Sequence, residues 1–394
     1  MKTTGDQRLV KRINRSVLLR LLRARPGLSR ARLASESGLT KSTVSMLARE
    51  LLDEGWVAEA SSTVASGLGR PSTPLYINAR ARALIGVEMA VECVRVVGVS
   101  LLGEVLHATE AALPNHQPEA VFATAAALAL DVRAAFGARG LQLAGIGVGL
   151  PGAIDAETGV LRFAPNLGWR NLEVQPLMSA AFAAAGLPGV ALQVQNEADV
   201  AALGEYEFSP GEDAGSLIFV HCDVGVGAGV VLNDGLFTGA HGMAGEIGHM
   251  VLEPGGALCS CGRRGCVETF IGSRALASPG AVEAAGPRLG VVLQNLWMAF
   301  DPRCIVVGGP VCESHPGLLT SARATLADYG RGAGLAPPEV RGARYGVLSA
   351  AVGAAALVLH QQLRPLHPSA ALRPAPPSPP AHTTPARGPH VSRH

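Results

Sequence analysis

Aromatic residues are scarce: three Trp, four Tyr and nine Phe make up 4% of 394 residues. A chain that is 48% hydrophobic can still bury a large core, but it must close it through small side chains and closely packed helices. The scarcity carries no functional information by itself. At the N-terminus, basic residues are followed by no apolar segment with a small-residue cleavage site, so a secretory leader is not expected. The longest weakly polar stretch, residues 346–359, falls short of the roughly 20 residues that span a bilayer. A cytoplasmic protein without a membrane partner is therefore expected. An even set of cysteines is also missing. There are seven, three of them within residues 259–266, which favours metal binding in a reducing compartment over disulfides.

The charge that is present lies at one end. Net charge is +2, yet residues 1–49 hold twelve Lys and Arg against Asp6 and Glu36, a balance of +10. Such a cluster fits a solvated face, a membrane surface or nucleic acid, and charge alone does not choose among them. Within it, residues 28–55 contain two short helical patterns around a tight connection. Gly38 can end the first and Thr40 can cap the second. Val44, Leu47 and Leu51 share one face of the second helix, leaving Lys41, Ser42, Thr43, Ser45 and Arg49 for a DNA contact. That is the arrangement of a recognition helix, whose N-terminal turn enters the major groove. An ordinary helical hairpin would read the same way. The two strand candidates that follow, from Trp56 and ending at Ile77, flank a Ser/Gly/Pro-rich turn at 61–74 as a wing requires, and with the basic cluster they favour binding to a double-stranded DNA operator.

Four parts result: a winged helix-turn-helix with its linker (1–79), an α/β body (80–360) and, beyond it, a Pro-rich tail (361–394) expected to be disordered, with the wing as the fourth. In the body, strand-like runs (143–149, 216–232) alternate with Ala-rich helical ones (119–136). His249-x9-Cys259-x-Cys261-x4-Cys266 offers one imidazole and three thiolates, the soft tetrahedral set of a structural zinc site. Gly262 and Gly265 let the loop fold back. The alternative is a Gly-rich loop with free thiols.

Several motifs in order resemble the ROK family of repressors and sugar kinases: Gly145-Ile-Gly-Val-Gly-Leu-Pro-Gly, Ala164-Pro-Asn-Leu-Gly-Trp169, Asn196-Glu-Ala-Asp199, Gly242-Met-Ala-Gly-Glu-Ile-Gly-His249, Cys259-x-Cys-Gly-x2-Gly-Cys-Val-Glu268 and Val306-Val-Gly-Gly309. The resemblance implies a two-lobed actin/hexokinase-like (ASKHA) domain with a sugar or sugar phosphate in the cleft. It places sugar contacts on Asn166, Asn196, Glu197, Glu246, His249 and Glu268, a set of amides and carboxylates suited to neighbouring hydroxyls. His249 would serve both sugar and zinc. The sequence also departs from the kinases. Where their first phosphate loop has Asp and then Gly-Gly-Thr, this chain has Glu88-Met-Ala-Val-Glu92. Val91 would obstruct phosphate and Glu92 repel it. The second loop, Gly-Thr-Gly in kinases, reads Asp223-Val224-Gly225, and the kinase base is replaced by Glu197. About twenty residues, fewer than the family's usual several tens, separate Glu268 from Leu289. The implied protein is a sugar-responsive repressor without catalytic residues, acting as a homodimer or homotetramer. An active sugar kinase carrying a DNA-binding domain, or a DNA-binding protein with no effector, remain as alternatives.

Overall fold

Leucines at i, i+1 and i+4 give helix α1 (Gln7–Ala24) one apolar stripe, Leu18, Leu19 and Leu22, and that stripe faces the rest of the N-terminal unit. The structure, a computed structural model, describes residues 7–60, 73–155, 158–209 and 215–365. After β1 (Leu28–Ser29), the Ser29 side chain accepts the Arg32 N–H and starts α2 (Arg30–Ser37), which Gly38 ends at φ 71°. Thr40 then accepts the Thr43 N–H and starts α3 (Lys41–Asp53). Both punctuation residues lie where the sequence places them. β2 (Val57–Glu59) and β3 (Pro74–Ile77) pair antiparallel, with β3 central in a three-stranded sheet. The wing tip expected between them, residues 61–72, lies outside the described residues.

The body repeats one connectivity. In the first lobe β4 (Arg82–Met89), β5 (Cys93–Ser100) and β6 (Val105–Ala112) form an antiparallel meander. Helix α4 (Pro118–Gly137) crosses to β7 (Gln142–Leu150), parallel to β4. A small sheet of β8 (Ala153–Ile154), β9 (Val160–Ala164) and β10 (Trp169–Glu173) and helix α5 (Val174–Ala184) precede β11 (Leu192–Asn196), giving the order β11-β7-β4-β5-β6. Helix α6 (Glu197–Glu207) leads to the second lobe, where β12 (Ser216–Cys222), β13 (Val226–Leu232) and β14 (Gly235–Leu236) form another meander. After α7 (Glu268–Ile271), α8 (Ser273–Leu276) and α9 (Ala281–Phe300) come β15 (Cys304–Gly308), α10 (Pro310–Ser314), α11 (Gly317–Ala333), β16 (Glu339–Gly342) and α12 (Ser349–Leu363). The second sheet, β14-β13-β12-β15-β16, matches the first strand for strand. The apolar run 216–232 is thus a hairpin broken at Asp223–Gly225.

Five layers follow: α4 and α5, the first sheet, the pair α12 and α6, the second sheet, and α9 with α11. Small residues make the central pair possible. A Cβ on Gly353 in α12 would lie 1.9 Å from the Val200 carbonyl oxygen of α6, so only glycine allows the backbones this close. The central core continues into the N-terminal unit, joining Leu18, Leu22 and Leu51 to Leu203 and Leu359.

Two helices exceed what the sequence reading allowed. The segment Gly346–Leu363 and α4 are both long and apolar enough to cross a membrane by length and composition, and 72% of the first one's apolar window is buried inside the protein. α12 also runs three residues into the segment expected as tail; the chain from residue 366 lies outside the described residues.

Candidate functional site

His249 ends a one-turn 3-10 helix, Ile247–His249, and the three cysteines lie on the loop that follows. Bridges Val251 to Cys266 and Leu258 to Arg264 close the loop, and Gly262 and Gly265 take φ of 87° and 72° at its reversals. The four ligand atoms lie within 4.8 Å of one another. Cys259 Sγ is 3.6 Å from His249 Nδ1, and Cys261 Sγ is 3.8 Å from Cys266 Sγ. Metal bonds of about 2.3 Å to sulfur and about 2.1 Å to nitrogen give tetrahedral edges of about 3.6 and 3.8 Å. The donors fit one metal ion in a closed tetrahedral site.

That loop walls a cleft between the lobes, with about 670 Å³ of empty space including its mouth. All six expected sugar contacts line it: Asn166, Asn196, Glu197, Glu246, His249 and Glu268. They come from loop ends in both lobes. Asn196 caps α6 by accepting the Ala198 and Asp199 N–H groups, and its amide donates to Glu197 Oε2 at 2.7 Å and to the Gly152 carbonyl at 3.1 Å. Asn166 donates to Glu268 Oε2 at 3.2 Å, while the Ser260 hydroxyl donates to Glu268 Oε1 at 2.9 Å. Glu268 therefore ties the cleft to the metal loop. Glu246 Oε2 stands 3.9 Å from His249 Nε2, on the opposite side of the ring from the metal donors. Gly245 brings this segment against β13: a Cβ there would be 1.8 Å from the Ala228 carbonyl oxygen. Burial raises the Glu197 pKa well above the carboxylate range, with the charge of Glu246 adding to it. Burial and the Glu268 charge push Glu246 up to about 7.

The phosphate-loop positions differ in detail from expectation. Glu92 is exposed in the β4–β5 turn and does not line the cleft. Glu88, Ala90 and Val91 do, together with Asp223 and His221. Glu88 is 1% exposed, and burial, with Asp223 adding and Arg95 opposing, pushes it up to about 7. Glu88 was read from the sequence only as the first residue of the altered phosphate loop, and His221 and Ser260 were not singled out. The roles of the last two depend on neighbours brought in by the fold, and no motif spacing marks them.

On the N-terminal unit, Lys41, Ser42, Ser45 and Arg49 are exposed along α3, while Val44, Leu47 and Leu51 are buried beneath them. Thr43 is half-buried, and its hydroxyl is 2.9 Å from that of Thr40 in the cap. Much of the basic cluster is consumed internally, in Lys11–Glu50, Arg15–Glu54, Arg25–Glu36 and Arg30–Glu59 pairs. Arg12, Arg20, Arg32, Lys41 and Arg49 are exposed without an ion pair among the described residues. Arg23 points the other way. It donates to the Glu207 carbonyl at the end of α6, and its Nη2 is 4.0 Å from the Glu207 carboxylate. His360 Nδ1, on α12, is 2.7 Å from the same carboxylate. Burial alone would raise the Glu207 pKa, but the His360 hydrogen bond and the charges of His360, Arg23 and Arg364 hold it at about 2.

A family model described as "ROK family" matches residues 84–281 and 277–361, and one described as "IclR helix-turn-helix domain" matches residues 16–61. The chain is 30% identical to the "Xylose repressor" of Bacillus spizizenii over 351 residues, covering 82% of this chain and 88% of that one. Among solved structures it is similar to a ROK family transcriptional regulator described as a homolog of the E. coli MLC protein, with TM-score 0.73, 22% identity, and 92% and 100% of the two chains covered. It is also similar to a ROK family glucokinase from Streptomyces griseus solved with glucose and AMPPNP, with TM-score 0.61, 26% identity, and 70% and 98% covered.

Proposed function

The chain belongs to the ROK family, and from that premise we propose that it is a sugar-responsive, DNA-binding transcriptional repressor of carbohydrate-metabolism genes. The unit 1–79 reads double-stranded operator DNA, with Lys41, Ser42, Thr43, Ser45 and Arg49 on its recognition helix. The unit 80–360 binds the effector through Asn166, Asn196, Glu197, Glu246, His249 and Glu268. It works in the cytoplasm as a homodimer or homotetramer. One observation supports the whole reading: α6 begins at Asn196 and Glu197 in the cleft and ends at Glu207, where Arg23 of α1 docks. A ligand that closes the cleft therefore acts on one end of a rod whose other end holds the DNA-binding unit.

His249, Cys259, Cys261 and Cys266 hold one zinc ion. With four protein ligands it braces the cleft wall and leaves no position for activating water. The cleft binds sugar without phosphorylating it. Where nucleotide phosphates would need backbone N–H groups, this chain presents Val91, Glu88 and Asp223, and Glu197, whose pKa burial raises, stands in place of the kinase base.

The test is operator affinity with and without sugar, starting with D-xylose because of the relative's name, alongside ATP-dependent phosphorylation of the same sugars. A sugar should change operator affinity about tenfold or more, as expected for a coupling free energy above about 1.4 kcal/mol, with no turnover. Lys41→Ala with Arg49→Ala should weaken operator binding in both states and reduce its salt slope by up to about two units. Clear phosphorylation, or no sugar response across pentoses and hexoses, overturns the reading.

A further inference from the structure

The two lobes put equivalent carboxylates at the floor of the cleft. Glu88 lies near the end of β4 and Asp223 just past the end of β12, the matching strands of the two sheets. Between them His221 reaches the cleft from β12. Counting Glu197, Glu246 and Glu268, five carboxylates line this cleft among the described residues, and no Lys or Arg of those residues does. Arg95 stands behind Glu88 at 3.3 Å and is shared with Glu110 at 2.6 Å. Apart from that ion pair, neither Glu88 oxygen has a hydrogen-bond partner among the described residues, and neither does His221 Nδ1, although these side chains are only 1% and 3% exposed. Buried polar groups left unpartnered in this way need a ligand or water to satisfy them.

We infer that Glu88, Asp223 and His221 form a selectivity floor that accepts hydroxyl groups and rejects phosphate, so that the effector is an unphosphorylated sugar. The inference rests on the reading of the cleft as a sugar site and narrows its ligand class. A hydroxyl both donates and accepts, so it can give its proton to an unpartnered carboxylate oxygen and take one from imidazole. A phosphate at neutral pH has acceptors and negative charge. It would be forced against two carboxylates in a site largely shielded from water, where like charges repel more than in bulk solvent. Sites built for phosphate do the opposite, converging backbone N–H groups, Arg or Lys. Burial lowers the His221 pKa, so the ring supplies no compensating positive charge.

Isothermal titration calorimetry of the full chain at pH 8, above the value of about 7 reached by Glu88, tests this with matched pairs. These are D-glucose and glucose 6-phosphate, D-mannose and mannose 6-phosphate, and N-acetylglucosamine and its 6-phosphate, with D-xylose as a further free sugar. A free sugar should bind at least a hundredfold more tightly than any sugar phosphate in the panel. Glu88→Gln combined with Asp223→Asn should narrow the gap for that pair at least tenfold. A phosphorylated member binding as tightly as its free partner overturns the inference while leaving the sugar-receptor reading intact. So does a gap that persists unchanged in a folded double variant, since exclusion would then be steric. If nothing in the panel binds, free or phosphorylated, the receptor reading fails and this inference with it.

Discussion

At the scale of the residue, the His/Cys cluster could be proposed from local spacing, whereas the cleft-lining residues were named only through resemblance to a family. His249 and the three cysteines span eighteen positions of sequence, and their chemistry is recognisable without the fold. Cys261→Ser should lower zinc content from about one per chain to well under half, as read by metal analysis of protein purified without added zinc. Unchanged occupancy would remove Cys261 from the site. Glu88 was visible in the sequence only as part of the altered phosphate loop, and its burial, with no hydrogen bond beside the Arg95 ion pair, could not be read there. Its pKa is raised from 4.5 to about 7, so the folded protein holds a proton that the unfolded chain releases. The resulting contribution is fully present below pH 4.5 and is lost as pH rises through about 7. Glu88→Gln lacks this loss. Relative to wild type it should gain stability between pH 5 and 8, approaching about 3 kcal/mol at the upper end, as measured by urea unfolding across that range. Parallel pH profiles for the two proteins would show that Glu88 is solvated in solution.

At the scale of the element, the helix-turn-helix could be read from Gly38 and Thr40 because helix ends obey local stereochemistry. The charge balance of its surface could not. Among the described residues, Arg12, Arg20, Arg32, Lys41 and Arg49 stay exposed outside the ion pairs, since Glu50, Glu54 and Glu59 lie just beyond the basic segment and fold back onto it. The pairing of α6 with α12 was foreshadowed only by the abundance of small residues; which glycine meets which carbonyl depends on chain segments about 150 residues apart. Gly353→Ala tests that crossing. Its methyl would meet the Val200 carbonyl oxygen at 1.9 Å, which the backbones can relieve only by separating. The variant should lose about 3 kcal/mol of stability, seen as a lower urea midpoint. An unchanged midpoint would mean that the two helices part easily, and α6 would then be a poor candidate for carrying strain between sites.

At the scale of the whole molecule, the question is how a cleft between two lobes reaches a DNA-binding unit built on the opposite end of α6. A contact placed to carry that coupling joins residues 184 positions apart, Arg23 and Glu207, and nothing in the sequence marks either. Glu207 is buried and kept ionised by Arg23, His360 and Arg364, so α1, α6 and α12 meet at one charge. Linkage requires that a sugar alter operator affinity only by its unequal affinity for the two conformations, and that DNA alter sugar affinity by the same factor. Arg23→Ala should therefore separate the two functions. Because Arg23 is remote from both the cleft and the exposed face of α3, the variant should bind sugar within about twofold of wild type while its operator affinity responds to sugar by less than about twofold, against the tenfold or more expected of the intact protein. Glu246→Gln should lose the same response for a different reason, by failing to bind sugar. Calorimetry distinguishes the two variants, and saturating operator DNA should leave sugar affinity unchanged in Arg23→Ala. A full sugar response in that variant would show that coupling runs through another contact, and the Glu207 junction would then serve only to hold the DNA-binding unit in place.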